Sequence, residues 1–187
     1  MLIISQTALE LGCIYALVAL ALFLSYSILN IADLSTDGCF TLGCAVACQV
    51  ALTGHPILAL VAAMAAGVCS GFITAFLQTR LGVESIMAGI IVNTGLYSIN
   101  IAIMGGSSLL NMNKADTVFT LMKELLKGTA FAKQYKLAVA LIAVIVILVL
   151  LTLFLKTRLG LAIRATGNNP DMVRSSSINT AFTTIIG

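Results

Sequence analysis

The chain has 187 residues, of which 60% are hydrophobic and only 9% charged. A mean hydropathy of +1.10 excludes an ordinary water-soluble domain. Ten basic against seven acidic residues leave a net charge of +3, which implies no nucleic-acid partner. The composition points instead to an all-α, polytopic membrane helix bundle, a single integral membrane domain over residues 1–187.

The first apolar run spans Leu11 to Leu29, with Glu10 at its mouth. No basic residue precedes Arg80, so this run lacks the positive leader of a cleaved signal peptide and reads as a retained membrane helix. Asp33 and Asp37 flank the turn that follows, in NIADLSTDG. Ionisable groups near lipid are costly, which makes both candidates for a translocation pathway. The alternative is local: Asp33 or Ser35 caps the next helix and Asp37-Gly38 marks a turn.

The second segment, Cys39 to Thr53, has only fifteen residues (39 to 53) and contains Gly43. That is short for a crossing, so it is expected to tilt, break or re-enter. Cys44 and Cys48 share a helix face at i, i+4, with His55 nearby. No CxxC pair or carboxylate accompanies them, and they read as small apolar residues with no metal expected. Gly54-His55-Pro56 makes a turn.

Pro56 to Thr79 is long enough to span and carries Ala63, Gly67, Gly71 and Ala75 at four-residue spacing. Such a stripe lets another helix approach closely. The fourth segment, Ser85 to Met104, includes Asn93 and Asn100 at i, i+7. They line a polar pathway or bond across helices, and spacing does not decide between the two. Glu84 reads as an interfacial charge.

Residues 105–136 form the longest polar interval. Within it Val118, Leu121, Met122, Leu125 and Leu126 follow helical spacing, and Gly128 stops the pattern. This predicts a short amphipathic helix that lies on the membrane or plugs against the bundle. Leu137 to Leu155 then runs nineteen residues (137 to 155) without a charge. At about 1.5 Å per residue it covers about 28 Å, close to a bilayer's hydrocarbon core.

The polar stretch from Arg164 to Asn179, RATGNNPDMVRSSSIN, hangs beneath that segment. Gly167 can take the left-handed turn that ends one helix, Asn169 can cap the next, and Pro170 fits its first position. A short, rigid, basic helix at the membrane surface suggests a docking knob for another protein.

This stretch resembles the cytoplasmic coupling loop of ABC importer permeases of the branched-chain amino acid and simple-sugar group, whose pattern runs roughly RAxGxNPxxARxxGIN. It matches at Arg164, Ala165, Gly167, Asn169, Pro170, Arg174, Ile178 and Asn179. It departs at Val173, where the family usually has Ala, and at Ser177, where it usually has Gly. Gly12 to Gly43 is similar to the first helix and following turn of the same permeases. The chain ends seven residues into an apolar start, Ala181 to Gly187, where family members continue with further helices, so a truncated chain is expected.

Basic residues fall five and five on the two sides, so the positive-inside rule leaves the orientation open. The resemblance implies that residues 156–180 are cytoplasmic and 105–136 extracytoplasmic, in the plasma membrane. The N-terminus is then outside if the second segment crosses and inside if it re-enters.

No GxxxxGK[ST], HExxH or GxSxG occurs, so no catalytic constellation is present. The resemblance implies a transport subunit that binds no cofactor itself, with ATP and Mg used by a separate cytoplasmic ABC ATPase. It also implies a second permease subunit, in a homo- or heterodimer, and an extracytoplasmic solute-binding protein. Arg164 and Arg174 are the expected docking contacts, against the alternative of ordinary positive flanking. The Gly12–Gly43 region resembles the subgroup paired with amino-acid-type binding proteins, which suggests an amino acid or related solute. The rival readings are an ATP-independent secondary transporter or channel, and a non-functional truncated remnant.

Overall fold

The computed structural model describes residues 2–107, 109, 117–120 and 135–187. Its elements in chain order are α1 (Leu2–Phe23), a π-turn (Leu24–Ile28), α2 (Thr36–Ala51), α3 (Pro56–Arg80), α4 (Ser85–Ile103) and α5 (Tyr135–Leu155). Three short helices follow: α6 (Arg158–Asn168), α7 (Pro170–Ser175) and α8 (Thr180–Ile186). No strand occurs among the described residues. The all-α membrane bundle read from the sequence is the observed fold.

Among the described residues, four helices are long and apolar enough to cross a membrane: Ile4–Ile28, Pro56–Arg80, Ser85–Ile103 and Tyr135–Leu155. The first starts earlier than its hydropathy suggests, so Glu10 lies inside α1 and not at its mouth. Large apolar side chains such as Ile4, Val68, Ile142 and Leu150 point outward. Lipid tails are as apolar as these side chains, so burial does not hold the helices together. Close packing and interhelical hydrogen bonds do.

Side-chain contacts fix the helix directions. Thr74 on α3 donates to the Ser35 hydroxyl at 3.1 Å, and a Cβ built on Gly43 lies 3.7 Å from the Ala63 carbonyl oxygen. The two helices are therefore antiparallel over the length of α2. Leu34 meets Gly89, Gly38 meets Asn93, and Thr41 bonds Asn100, so α2 runs parallel to α4. Leu42, Val92 and Leu96 fill the space between them. The second segment is thus one continuous, unbroken helix that runs alongside its neighbours. Its irregular part comes before it, at residues 29–35, where Asn30 takes a positive φ of 55°.

α1 and α5 are parallel. Cys13 and Ile14 share an apolar cavity with Val139 and Ala140 at one end, while Ile28 and Leu29 pack with Leu155 at the other. The passes consistently alternate, and α6 and α7 lie at one end of the bundle, hereafter the near end. The start of α1 and the turn at Thr53–His55 lie at the far end. At the near end Thr157 caps α6 by accepting from Gly160 N–H at 3.3 Å. A Cβ at Gly160 would strike the Phe154 carbonyl and the Leu155 backbone, so only glycine lets α6 fold back this tightly on α5.

Of the amphipathic pattern in the polar interval, only Val118 falls among the described residues, in a helical piece at 118–120. Leu121, Met122, Leu125 and Leu126 lie outside them.

Candidate functional site: the near-end knob and the cleft beside it

The knob is built from three short helices tied to each other. α6 does not stop at Gly167; it continues to Asn168. The glycine serves close approach and not a left-handed turn. A Cβ there would collide with the Ile28 carbonyl oxygen and lie 3.0 Å from the carbonyl carbons of Ile28 and Leu29. The end of α1 therefore seats directly on the α6 backbone.

Asn169 leaves the helical region at φ −155°, and its Oδ1 accepts from Asp171 N–H and Met172 N–H, each at 3.1 Å. Pro170 occupies the first helical position, where its missing N–H costs nothing. α7 ends in a paired C-cap: Ile178 N–H bonds the Val173 carbonyl at 3.4 Å and Ser177 N–H bonds the Arg174 carbonyl at 3.1 Å. This motif needs a left-handed residue, which is Ser177 at φ 61°. It is the position where the resembling permeases carry glycine. Val173 is buried, which explains an apolar residue at the second departure from their pattern.

Asn179 caps α8 by accepting from Phe182 N–H at 3.2 Å. Buried Thr166 on α6 and Thr183 on α8 bond at 2.9 Å. Arg174 Nε donates to Thr180 Oγ1 at 3.1 Å, and its outer nitrogen lies 3.9 Å from Asp171. Arg174 stays largely exposed, as do Arg164, Ala165 and Met172, which present a mixed basic and apolar face at the near end. Ile178 is also exposed, although its backbone closes the α7 cap.

The four pathway candidates separate. Asn100 is buried and donates to Thr41 Oγ1 at 3.0 Å, while its Oδ1 has no partner. Asn93 is exposed beside Gly38. Asp37 is exposed in the first turn of α2, where a negative charge suits the helix dipole. Asp33 is half-buried, and its Oδ1 accepts from Ser35 N–H at 2.8 Å. Ser35 makes no capping bond, because its hydroxyl is engaged by Thr74.

Asp33 also lines a cleft of about 550 Å³ between the end of α1, α3 and α8. Gly67, Gly71 and Ala75 form part of its wall. Nothing lies within 4 Å of a Cβ built on Gly67 or Gly71, so no helix among the described residues closes on them. The face of α3 that packs tightly on α2 carries Ser70 and Thr74 instead, drawn in by the bond to Ser35. Within the stripe, Ala63 meets α2 through its carbonyl opposite Gly43. The cysteines are free, and no group of three potential metal ligands occurs among the described residues.

Apolar helices long enough to cross a bilayer, held by sparse polar contacts and ending in a capped surface knob, define a multi-pass membrane helix bundle. The match of residues 5–187 to the branched-chain amino acid transport system / permease component places the chain in that family. It is 32% identical over 175 residues to a protein of Clostridioides difficile (strain R20291) named tyrosine transport system permease protein, covering 93% of this chain and 55% of the relative. It is 34% identical over 169 residues to an uncharacterized protein of Rickettsia prowazekii (strain Madrid E), covering 89% of this chain and 56% of that one. The chain thus spans about half the length of the curated relatives it matches. No solved structure matches it.

Proposed function

We propose that this chain is a membrane-spanning part of an ATP-driven importer, and that α7 is the element a cytoplasmic ATPase grips. The observation that carries this reading is the seat of Gly167 on the Ile28 carbonyl, together with the caps that make α6, α7 and α8 one unit. A pre-organised knob loses little ordering entropy on docking. A push on α7 passes through the Gly167 contact to the end of α1, and through Thr166–Thr183 to α8. Nucleotide-driven closure of the ATPases would then rock the helices as rigid bodies between two access states. ATP and Mg belong to the ATPase, a second permease subunit completes the pathway, and an external binding protein delivers the solute. The Clostridioides relative's printed name, together with the half-buried Asp33, favours an amino acid as that solute.

The test is co-purification of the ATPase from membranes carrying Arg174→Glu or Met172→Asp. The first variant reverses a charge on α7. Met172 is 69% exposed, so the second places a charge on the same helix outside the Arg174–Thr180 bond. Both are expected to stay in the membrane at normal levels and to lose ATPase. Full ATPase retention with unchanged substrate-stimulated hydrolysis in both would reduce the knob to a solvated connector.

A further inference from the structure

α5 has 21 residues and covers about 31 Å at about 1.5 Å per residue, which matches a hydrocarbon core of about 30 Å. Lys156 follows at once, so α6 begins at the level of the lipid headgroups. It does not leave that level. Gly160 holds its first turn against the Phe154–Leu155 backbone, and Gly167 seats its last turn on Ile28, at the end of the parallel helix α1. α6 therefore lies across the near ends of two spans.

Its inner side buries Gly160, Ile163 and Thr166. Arg158, Leu161, Arg164 and Ala165 follow at i, i+3, i+6 and i+7 on the outer side, and all four are exposed. Leu161, between the two arginines in that stripe, is 56% exposed. Lys156, Arg158 and Arg164 make no ion pair and no side-chain hydrogen bond among the described residues. The first carboxylate after α5 is Asp171, which pairs with Arg174 on α7. Three unmatched cations with an apolar side chain among them, fixed at headgroup depth, complement phosphates above acyl chains. We infer that the outer face of α6 binds anionic phospholipids, with Lys156, Arg158 and Arg164 on their phosphates and Leu161 among the upper acyl carbons. This assigns Arg164 to lipid and leaves Arg174 to the ATPase.

The test uses the complete transporter in nanodiscs of equal phosphatidylglycerol and phosphatidylcholine, with the photoprobe p-benzoylphenylalanine in place of Leu161. After illumination, adducts at that peptide are identified by mass spectrometry. Phosphatidylglycerol adducts are expected to exceed phosphatidylcholine adducts about fivefold or more, the preference that one basic residue confers at an anionic surface. The same photoprobe in place of Val149, exposed within α5, is expected to give a ratio near unity. Lys156→Gln, Arg158→Gln and Arg164→Gln together should bring the ratio at position 161 close to unity. On the unsubstituted face, salt at about 1 M should do the same, because it shortens the screening length to about 3 Å. The inference is overturned if position 161 shows no preference, if position 149 shows the same one, or if the triple variant or salt leaves it unchanged. Adducts to the ATPase in place of lipid would overturn it too. A transporter that shows the preference without ATP-driven uptake keeps this surface and removes the importer reading; uptake without the preference does the reverse.

Discussion

Gly167→Ala is the substitution for which the structure sets the clearest magnitude. The added methyl would overlap the Ile28 carbonyl oxygen and sit 3.0 Å from two carbonyl carbons. To restore van der Waals distance, α6 and the end of α1 must separate by about 1 Å or more. Overpacking costs about 1–3 kcal/mol when side chains can shift, and here the obstacle is backbone. The upper end, about 3 kcal/mol, corresponds to about a 100-fold change in the folded-to-unfolded ratio. Gly12→Ala is the control, since nothing lies within 4 Å of its Cβ and it sits inside α1. It should be neutral or gain up to about 1 kcal/mol from reduced backbone entropy. Both are read from unfolding midpoints in mixed detergent micelles, alongside ATPase retention on the purified permease. If Gly167→Ala matches the parent in both, the knob is not seated on α1 and no push can travel by that route.

The helix directions predict that a cysteine at His55 and one at Ser176 react from opposite faces of the membrane, because α3 leads from His55 to the near end that holds the knob. Labelling of both by an impermeant reagent from one side would overturn the order of passes. Ser177→Gly should raise the unfolding midpoint by an equivalent of about 0.5–1 kcal/mol, since Ser177 pays for φ 61° in the α7 cap. A loss of stability there would mean that the left-handed cap is not populated.

The long spans were legible because their signal is local. Hydropathy alone places α3, α4 and α5 to within two residues at each end, and Asn169-Pro170 announces the start of α7 by its own chemistry. What escaped depends on partners distant in sequence. Gly167 looks like a helix stop until Ile28 is seen to lie against it. Asn93 and Asn100 share a face by period, yet only Asn100 finds a partner, because Thr41 sits at its level on α2. The Gly67–Gly71 stripe predicts close approach, but which face of α3 meets α2 is decided by the Thr74–Ser35 bond. The π-turn at Leu24–Ile28 and the Thr166–Thr183 bond had no sequence signal that spacing or composition could supply.

The irregular stretch before α2 bears on how the chain is assembled. Its backbone groups are satisfied piecemeal: Ile31 N–H by the Ser25 carbonyl at 3.0 Å, the Ile31 carbonyl by the Ser25 hydroxyl at 2.8 Å, and Ser35 N–H by Asp33. Lipid offers no replacement for such bonds, so non-helical backbone at this depth is tolerated only inside protein. Leu34 gains that cover from Gly89, and Ser35 from Thr74. Both covering residues are synthesised after α2. The first two segments are therefore expected to settle together with the α3–α4 hairpin and not as independent helices, and a chain ending after α2 should insert less stably than one ending after α4.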